Sequence, residues 1–235
     1  TMITIKKVSS RKELKQFIRF ANELYNDNPY YTPCLEFDEL NTFDTKKNPA
    51  LDHSKFANFL AYKDGKVVGR ITAIINELAN EHWGCKKVRF GWFDFIDDYD
   101  VFKALMDSVA NWGKQHGMEH LNGPVGFTDF DHQGLLLEGF DYNAPMASLY
   151  TYPYYVAHYE RYGLRQEADW IEYQITPPTE APERMKRLVQ IVATRNKIHT
   201  VKVTVFYDGF CTADTFFCRL EDQFDRAVKF IFHGH

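Results

Sequence analysis

Apolar and polar positions change period several times along this chain, and each change marks an element. Residues 2–8 alternate, with Ile3 and Ile5 set against Thr4 and Lys6, and predict a first strand. From Leu14 the spacing becomes helical, with Phe17, Ile18, Ala21, Leu24 and Tyr25 on one stripe. Ser9 or Ser10 can cap that helix by accepting a hydrogen bond from its first free N–H groups. Asn26-Asp27-Asn28-Pro29 ends it. Residues 29–55 are polar and broken by Pro33 and Pro49, with room for a short helix near 36–40. A hairpin follows. Residues 56–62 and 66–75 flank Lys63-Asp64-Gly65-Lys66, and Asp-Gly suits a tight turn between twisted strands. Residues 74–77 extend its second strand, and 78–86 read as a loop.

The most organised stretch runs from Val88 to Leu121. Residues 88–96 are almost all β-branched or aromatic, which suits a strand buried on both faces. Asp97, Asp98 and Asp100 offer caps for a helix over 99–116, whose inner face carries Val101, Leu105, Val109 and Trp112. Gly117 stops it, and 118–121 begins a strand parallel to the first, as in a βαβ unit. Residues 122–143 read as a loop rich in polar groups, and 146–152 as a short strand. Pro153 opens a helix over 154–162 that Gly163 closes. Alternation over 164–176 predicts a last strand, and Pro177-Pro178-Thr179 marks a boundary. Beyond it come a helix over 182–195 with Met185, Leu188, Val189 and Val192 inward, a strand over 198–206, and a helix over 213–232. The expected organisation is a domain of residues 1–176 and a helix–strand–helix appendage of 177–235. That appendage has one strand without a partner. It must pack on the first domain, on a second copy in a homodimer, or on residues outside this sequence.

Composition narrows the function. The 235 residues are 45% hydrophobic and 16% aromatic, enough for a sizeable core. A net charge of −4 and a pI near 6.1 argue against a nucleic-acid partner. No apolar run approaches the ~18 residues of a membrane helix, and residues 1–7 lack a signal-peptide pattern. The cysteines at 34, 85, 211 and 218 form no CxxC pair, which fits a reducing cytoplasm. Cys211, Cys218, His233 and His235 have zinc-ligand chemistry, but the helical stripe explains that region better, and no metal is expected.

The order β-α-loop-β-β-β-α-β-α-β resembles the GNAT superfamily of N-acyltransferases. The segment Val156-Ala157-His158-Tyr159-Glu160-Arg161-Tyr162-Gly163-Leu164 looks like the family's late helix, and Lys114 to Leu121 like its helix end leading into the fifth strand. The run from Gly123-Pro124 to Gly139-Phe140-Asp141 further resembles a GNAT-like group of bacterial proteins. The resemblance covers roughly residues 2–176. It implies an α+β fold with a mixed, mostly antiparallel sheet flanked by helices, and acyl transfer from acetyl-CoA or acyl-CoA to a small amine. It also admits 177–235 as the opening of a second GNAT-like half.

By the same resemblance Tyr159 is the acid that protonates the leaving thiolate, and Asp94 the acceptor of the amine's proton. Fourth-strand N–H groups would hold the acyl carbonyl, and Phe95, Ile96 and Val101 are the cofactor-facing candidates. Each has a plainer alternative. Tyr159 packs among Tyr154, Tyr155 and Tyr162, and an acid inside an apolar strand is either functional or paired. Asp129, Asp131 and His132, with Tyr155, are the substrate-binding candidates, against a solvated loop. One departure is plain. Where the family has a glycine-rich pyrophosphate loop, this chain has Ile96-Asp97-Asp98-Tyr99-Asp100-Val101, and three carboxylates repel a pyrophosphate. A catalytically silent ligand- or protein-binding module on the same fold is the rival expectation.

Overall fold

The computed structural model describes residues 2–144, 148–173, 175–176 and 179–196. Thr1–Ala168 form one compact unit and Asp169–His235 another. In the first, β1 (Ile3–Lys7) leads into α1 (Arg11–Leu24). Ser10 caps α1: its hydroxyl accepts from the Glu13 N–H, while the Glu13 carboxylate accepts from the N–H groups of Ser9 and Ser10. Lys6 pairs with the same carboxylate. The Lys6 ammonium first, and then the Ser9 N–H, bring the Glu13 pKa down to about 2.

A short helix α2 (Glu36–Thr42) and a 3-10 turn (Pro49–His53) follow. The hairpin forms as its turn dictates, β2 (Ser54–Lys63) against β3 (Lys66–Asn76). Asp64 at φ 53° and Gly65 at φ 76° are both left-handed, the turn whose twist matches that of the strands. Then come α3 (Glu77–His82), β4 (Lys87–Phe95), α4 (Tyr99–Gln115), β5 (His120–Asn122) and α5 (Tyr154–Tyr162). The second unit contributes α6 (Glu183–Asn196).

The five strands lie in the order β1-β2-β3-β4-β5, antiparallel except for the parallel β4–β5 pair. This is the mixed α+β sheet that the pattern predicts. It is buried on both faces. On one, Phe59, Ile71, Phe90 and Phe95 pack with Phe102, Leu105 and Val109 of α4 and Tyr155 of α5. On the other, Leu60 and Ile74 pack with Phe17 and Ile18 of α1, Leu51 and Phe127. Neighbouring residues of β2 therefore enter different clusters, as a pleated strand requires. At Gly113, α4 comes so close to β4 that an added Cβ would lie 2.5 Å from Val88 Cγ1.

Several expectations change. The stretch after β3 is not only loop: Asn76 accepts the Ala79 N–H at 2.9 Å and starts α3. No ladder forms over 148–152, whose polar groups turn inward, with the Thr151 hydroxyl accepting from Leu136 N at 3.1 Å. No strand forms among the described residues of 164–176 either, and Trp170, Ile171, Tyr173 and Ile175 are exposed. Alternation yields a strand only where a neighbour offers its backbone. Here side chains do the fastening: Asn122 Nδ2 donates to Glu167 Oε2 at 2.6 Å, and Lys87 faces Glu167 Oε1 at 3.7 Å. Met185, Leu188, Val189 and Val192 of α6, expected inward, are exposed. The expected elements over 198–206 and 213–232, with Cys211, Cys218, His233 and His235, lie outside the described residues.

Two tests follow from this packing. On an open helix Gly→Ala adds stability, by about 1 kcal/mol. At Gly113 the added methyl overpacks Val88, and Gly113→Ala should instead lose about 1–3 kcal/mol in urea denaturation; a stabilised variant would show that α4 is free to shift. The Glu13 pKa is depressed in the folded state, so its contribution is present above its ordinary value near 4.5 and is lost as pH falls towards about 2. Amide exchange in the first turn of α1 should rise over that window, and Glu13→Gln should remove the pH dependence.

Candidate active site

The site forms where β4 departs from regularity. Gly69 faces Phe95 and Arg70 faces Asp94, but Thr72 already faces Gly91, so β4 carries one extra residue. A bulge of this kind re-aims side chains. Trp92 takes it up in a left-handed conformation, φ 45°, which a bulky residue rarely adopts. Its indole N–H donates to Glu39 Oε2 of α2 at 2.6 Å.

Just beyond the bulge, Asp94 is 4% exposed and Arg70, opposite it on β3, 5%. Arg70 Nε donates to Asp94 Oδ2 at 2.7 Å. Asp94 Oδ1 accepts from the Tyr25 hydroxyl at 3.2 Å and, more distantly, from that of Tyr155 at 3.5 Å. The two hydroxyls lie 2.8 Å apart, and the Phe95 N–H donates to Tyr155. Arg70 Nη1 reaches the carbonyls of Phe17 and Ile18 in α1 at 3.0 and 3.2 Å. Burying two charges is costly, and this pair is tolerated because nearly every donor and acceptor is matched. Burial alone would lower the Arg70 guanidinium; Asp94, then Glu39, more than offset it and hold it above its ordinary value. Burial, and after it the charge of Asp94, keeps Tyr155 and Tyr159 protonated well above the usual phenol range. Tyr25 is raised by burial, then by Tyr155 and Asp94.

Arg70, Asp94, Trp92, Phe93, Tyr159 and Glu39 wall a cavity of about 60 Å³, with His132 and Cys34 also on its surface. At ~10–15 Å³ per water, this holds a few waters or a small headgroup. The Tyr159 hydroxyl has no hydrogen-bond partner among the described residues. Asp94, Tyr159 and His132 of the predicted set thus meet at one cavity. Tyr155 lies in the buried network behind it. Asp131 braces its own loop, Oδ2 accepting the Thr128 N–H at 2.8 Å, and Asp129 is exposed; neither is on the cavity wall. Phe95 and Val101 are buried in the core and Ile96 is half-buried beside it. Arg70, Tyr25 and Glu39 escaped the sequence reading. Arg70 had a signal, a lone charge in the apolar run Val67-Val68-Gly69-Arg70-Ile71, across from the single acid of β4. Glu39 had none.

No protein-family model matches the sequence. The chain is 37% identical over 185 residues to Protein YghO of Escherichia coli (strain K12), covering 77% of this chain and 47% of that protein. It is 30% identical over 185 residues to a bacterial ceramide synthase of Caulobacter vibrioides (strain NA1000 / CB15N), covering 78% and 48%. The chain therefore spans about half the length of these curated relatives. Among solved structures it is similar to a predicted acetyltransferase with acetyl-CoA from Clostridium acetobutylicum, with a TM-score of 0.45 and 11% identity over 74% of this chain and 96% of that one. The first unit is a mixed α+β fold, a five-stranded and mostly antiparallel sheet flanked by helices.

The junction between β4 and α4 is closed to a pyrophosphate. Asp98 Oδ1 accepts the N–H groups of Asp100 and Val101 at 2.9 and 3.4 Å, and Asp98 Oδ2 holds Lys63 at 2.7 Å. Asp97 faces His158 Nε2 at 2.8 Å. The donors at the start of α4 that could meet an anion are satisfied by the protein's own carboxylate. The Phe95 backbone is also engaged, its N–H by Tyr155 and its carbonyl by the Tyr154 hydroxyl at 2.5 Å.

The buried pair makes a sharp stability test. Arg70→Met strands the Asp94 charge and should cost about 3–5 kcal/mol, whereas the double variant Arg70→Met/Asp94→Leu should recover most of that loss. Urea denaturation of the parent, the two single variants and the double variant reads this coupling. Additive losses would mean that the pair does not act as a unit.

Proposed function

We propose that this chain is the GNAT-fold portion of an N-acyltransferase that moves an acyl group from a thioester to an amine. The observation that carries this reading is the cavity, where Tyr159, kept protonated and without a hydrogen-bond partner among the described residues, shares a wall with the Arg70–Asp94 pair beside the β4 bulge. In the reaction, the neutral amine nitrogen attacks the thioester carbonyl, a C–N bond forms, the C–S bond breaks, and the thiolate leaves. Tyr159 would give that thiolate its proton, and the proton that the nitrogen loses as the amide forms would restore the Tyr159 hydroxyl. Asp94 would act through the network, holding the guanidinium and the two buried phenols in place. A relative named a bacterial ceramide synthase supports the reading, because a ceramide contains an amide formed on an amine. Acyl-CoA is the donor that the fold suggests, although its pyrophosphate must lie elsewhere than at the start of α4.

One observation favours a second reading. The satisfied start of α4 and the capped Phe95 backbone suit a unit that binds no coenzyme and serves as a ligand- or protein-binding module.

A thermal-shift series with acetyl-CoA and longer acyl-CoAs separates the two. A native-state ligand at a hundred times its Kd adds about 2.7 kcal/mol of stability. Saturable stabilisation supports the enzyme, and none with any acyl-CoA supports the module. In the active protein Tyr159→Phe should lower kcat by about 10²–10⁴-fold. Its folded stability should stay level or rise, because the lost hydroxyl has no partner among the described residues.

A further inference from the structure

We propose that Glu39 is the carboxylate that receives the ammonium group of the acceptor. This rests on the acyltransferase reading and adds to it a binding residue and a ligand charge: the acceptor docks as an ammonium and gives up one proton to solvent before its neutral nitrogen attacks. Asp94, the acid that the resemblance singles out, has both oxygens engaged, by Arg70 on one side and by Tyr25 and Tyr155 on the other. Glu39 is different. Its Oε2 accepts from the Trp92 indole at 2.6 Å, while its Oε1 accepts no hydrogen bond among the described residues. It is half-buried and lines the same cavity as Tyr159, a residue only 7% exposed whose hydroxyl has no partner among the described residues.

Three further observations support the assignment. The group that orients Glu39 is the residue held in the left-handed bulge of β4, and backbone strain of this kind concentrates at functional sites. The helix bearing Glu39 is fixed to α1: Arg19 grips Glu36 through Nε at 2.7 Å and Nη2 at 3.1 Å, and Asn22 holds the Cys34 N–H and carbonyl just before it. The carboxylate is therefore presented by a braced element. Finally, the cavity wall carries two carboxylates, Glu39 and Asp94, against one guanidinium, Arg70. A monocation restores neutrality there, whereas a carboxylate ligand would add to the excess. The cavity's volume admits a primary ammonium with a short stem, so any long chain on the acceptor stays outside.

The test uses the full chain and n-butylammonium chloride at pH 7, with butan-1-ol and sodium butyrate as controls of similar size. Binding is followed by NMR at the tryptophan indole N–H signals, because the Trp92 indole is bonded to Glu39. The parent should bind butylammonium at least tenfold more tightly than either control. Glu39→Gln keeps an oxygen for Trp92 and removes the charge, and it should bind the amine no better than the alcohol. Glu39→Asp should keep the preference with weaker binding. Equal amine binding by parent and Glu39→Gln, or no preference in the parent, overturns the proposal. Amine binding through Glu39 without acyl transfer from any acyl-CoA would uphold this site and remove the acyltransferase reading. Acyl transfer by Glu39→Gln at the parent's KM for the amine would uphold that reading and remove this site.

Discussion

The ion pair between Arg70 and Asp94 ties the first unit together. It joins β3 to β4 at the point where the ladder changes register, and it reaches α1 through the Phe17 and Ile18 carbonyls. Through Tyr25 and Tyr155 it reaches the end of α1 and the late helix α5. Four elements that are distant in sequence thus share one buried network. Paired charges in a core need nearly all of their hydrogen bonds, so each element's position is fixed by the others. The cavity is the space left beside this network. The groups behind its walls are matched by hydrogen bonds.

The second constraint is how the sheet ends. β5 pairs with β4 for only three residues, and the chain then returns across β4, with Val125 N donating to the Phe90 carbonyl at 2.8 Å. Past the bulge, the free edge of β4 is met by hydroxyls of α5 rather than by another strand. Aromatic packing of Tyr155 on Phe95, with centroids 4.2 Å apart, holds that helix in place. The junction between β4 and α4 is thus closed by the protein's own tyrosines and by Asp98, while the small cavity beside the bulge stays open.

Much of the fold was legible because periodicity reports on the solvent boundary of each segment. The hairpin at Asp64-Gly65, the α4 crossover and the span of α5 are local in cause: turn chemistry, a capping aspartate, a closing glycine. The alternating run of 164–176 misled for a related reason. Alternation describes side chains, while a strand requires a backbone partner, and no described segment supplies one. The site was half legible. Tyr159 and Asp94 stand out as residue types in unusual settings, and Arg70 does so equally once β3 and β4 are read together. Glu39 looks like any acid on a short polar helix.

The sequence by itself determined the hairpin, the crossover and the late helix, because these follow from local spacing, turn chemistry and capping. Tertiary structure decided which groups meet. A one-residue bulge changes the facing of everything beyond it, so only the folded sheet sets Asp94 against Arg70 and turns Trp92 towards Glu39. The same holds for the start of α4: its aspartates are plain in the sequence, but Lys63 and His158, which come from far along the chain to hold two of them, are brought there only by the packed fold.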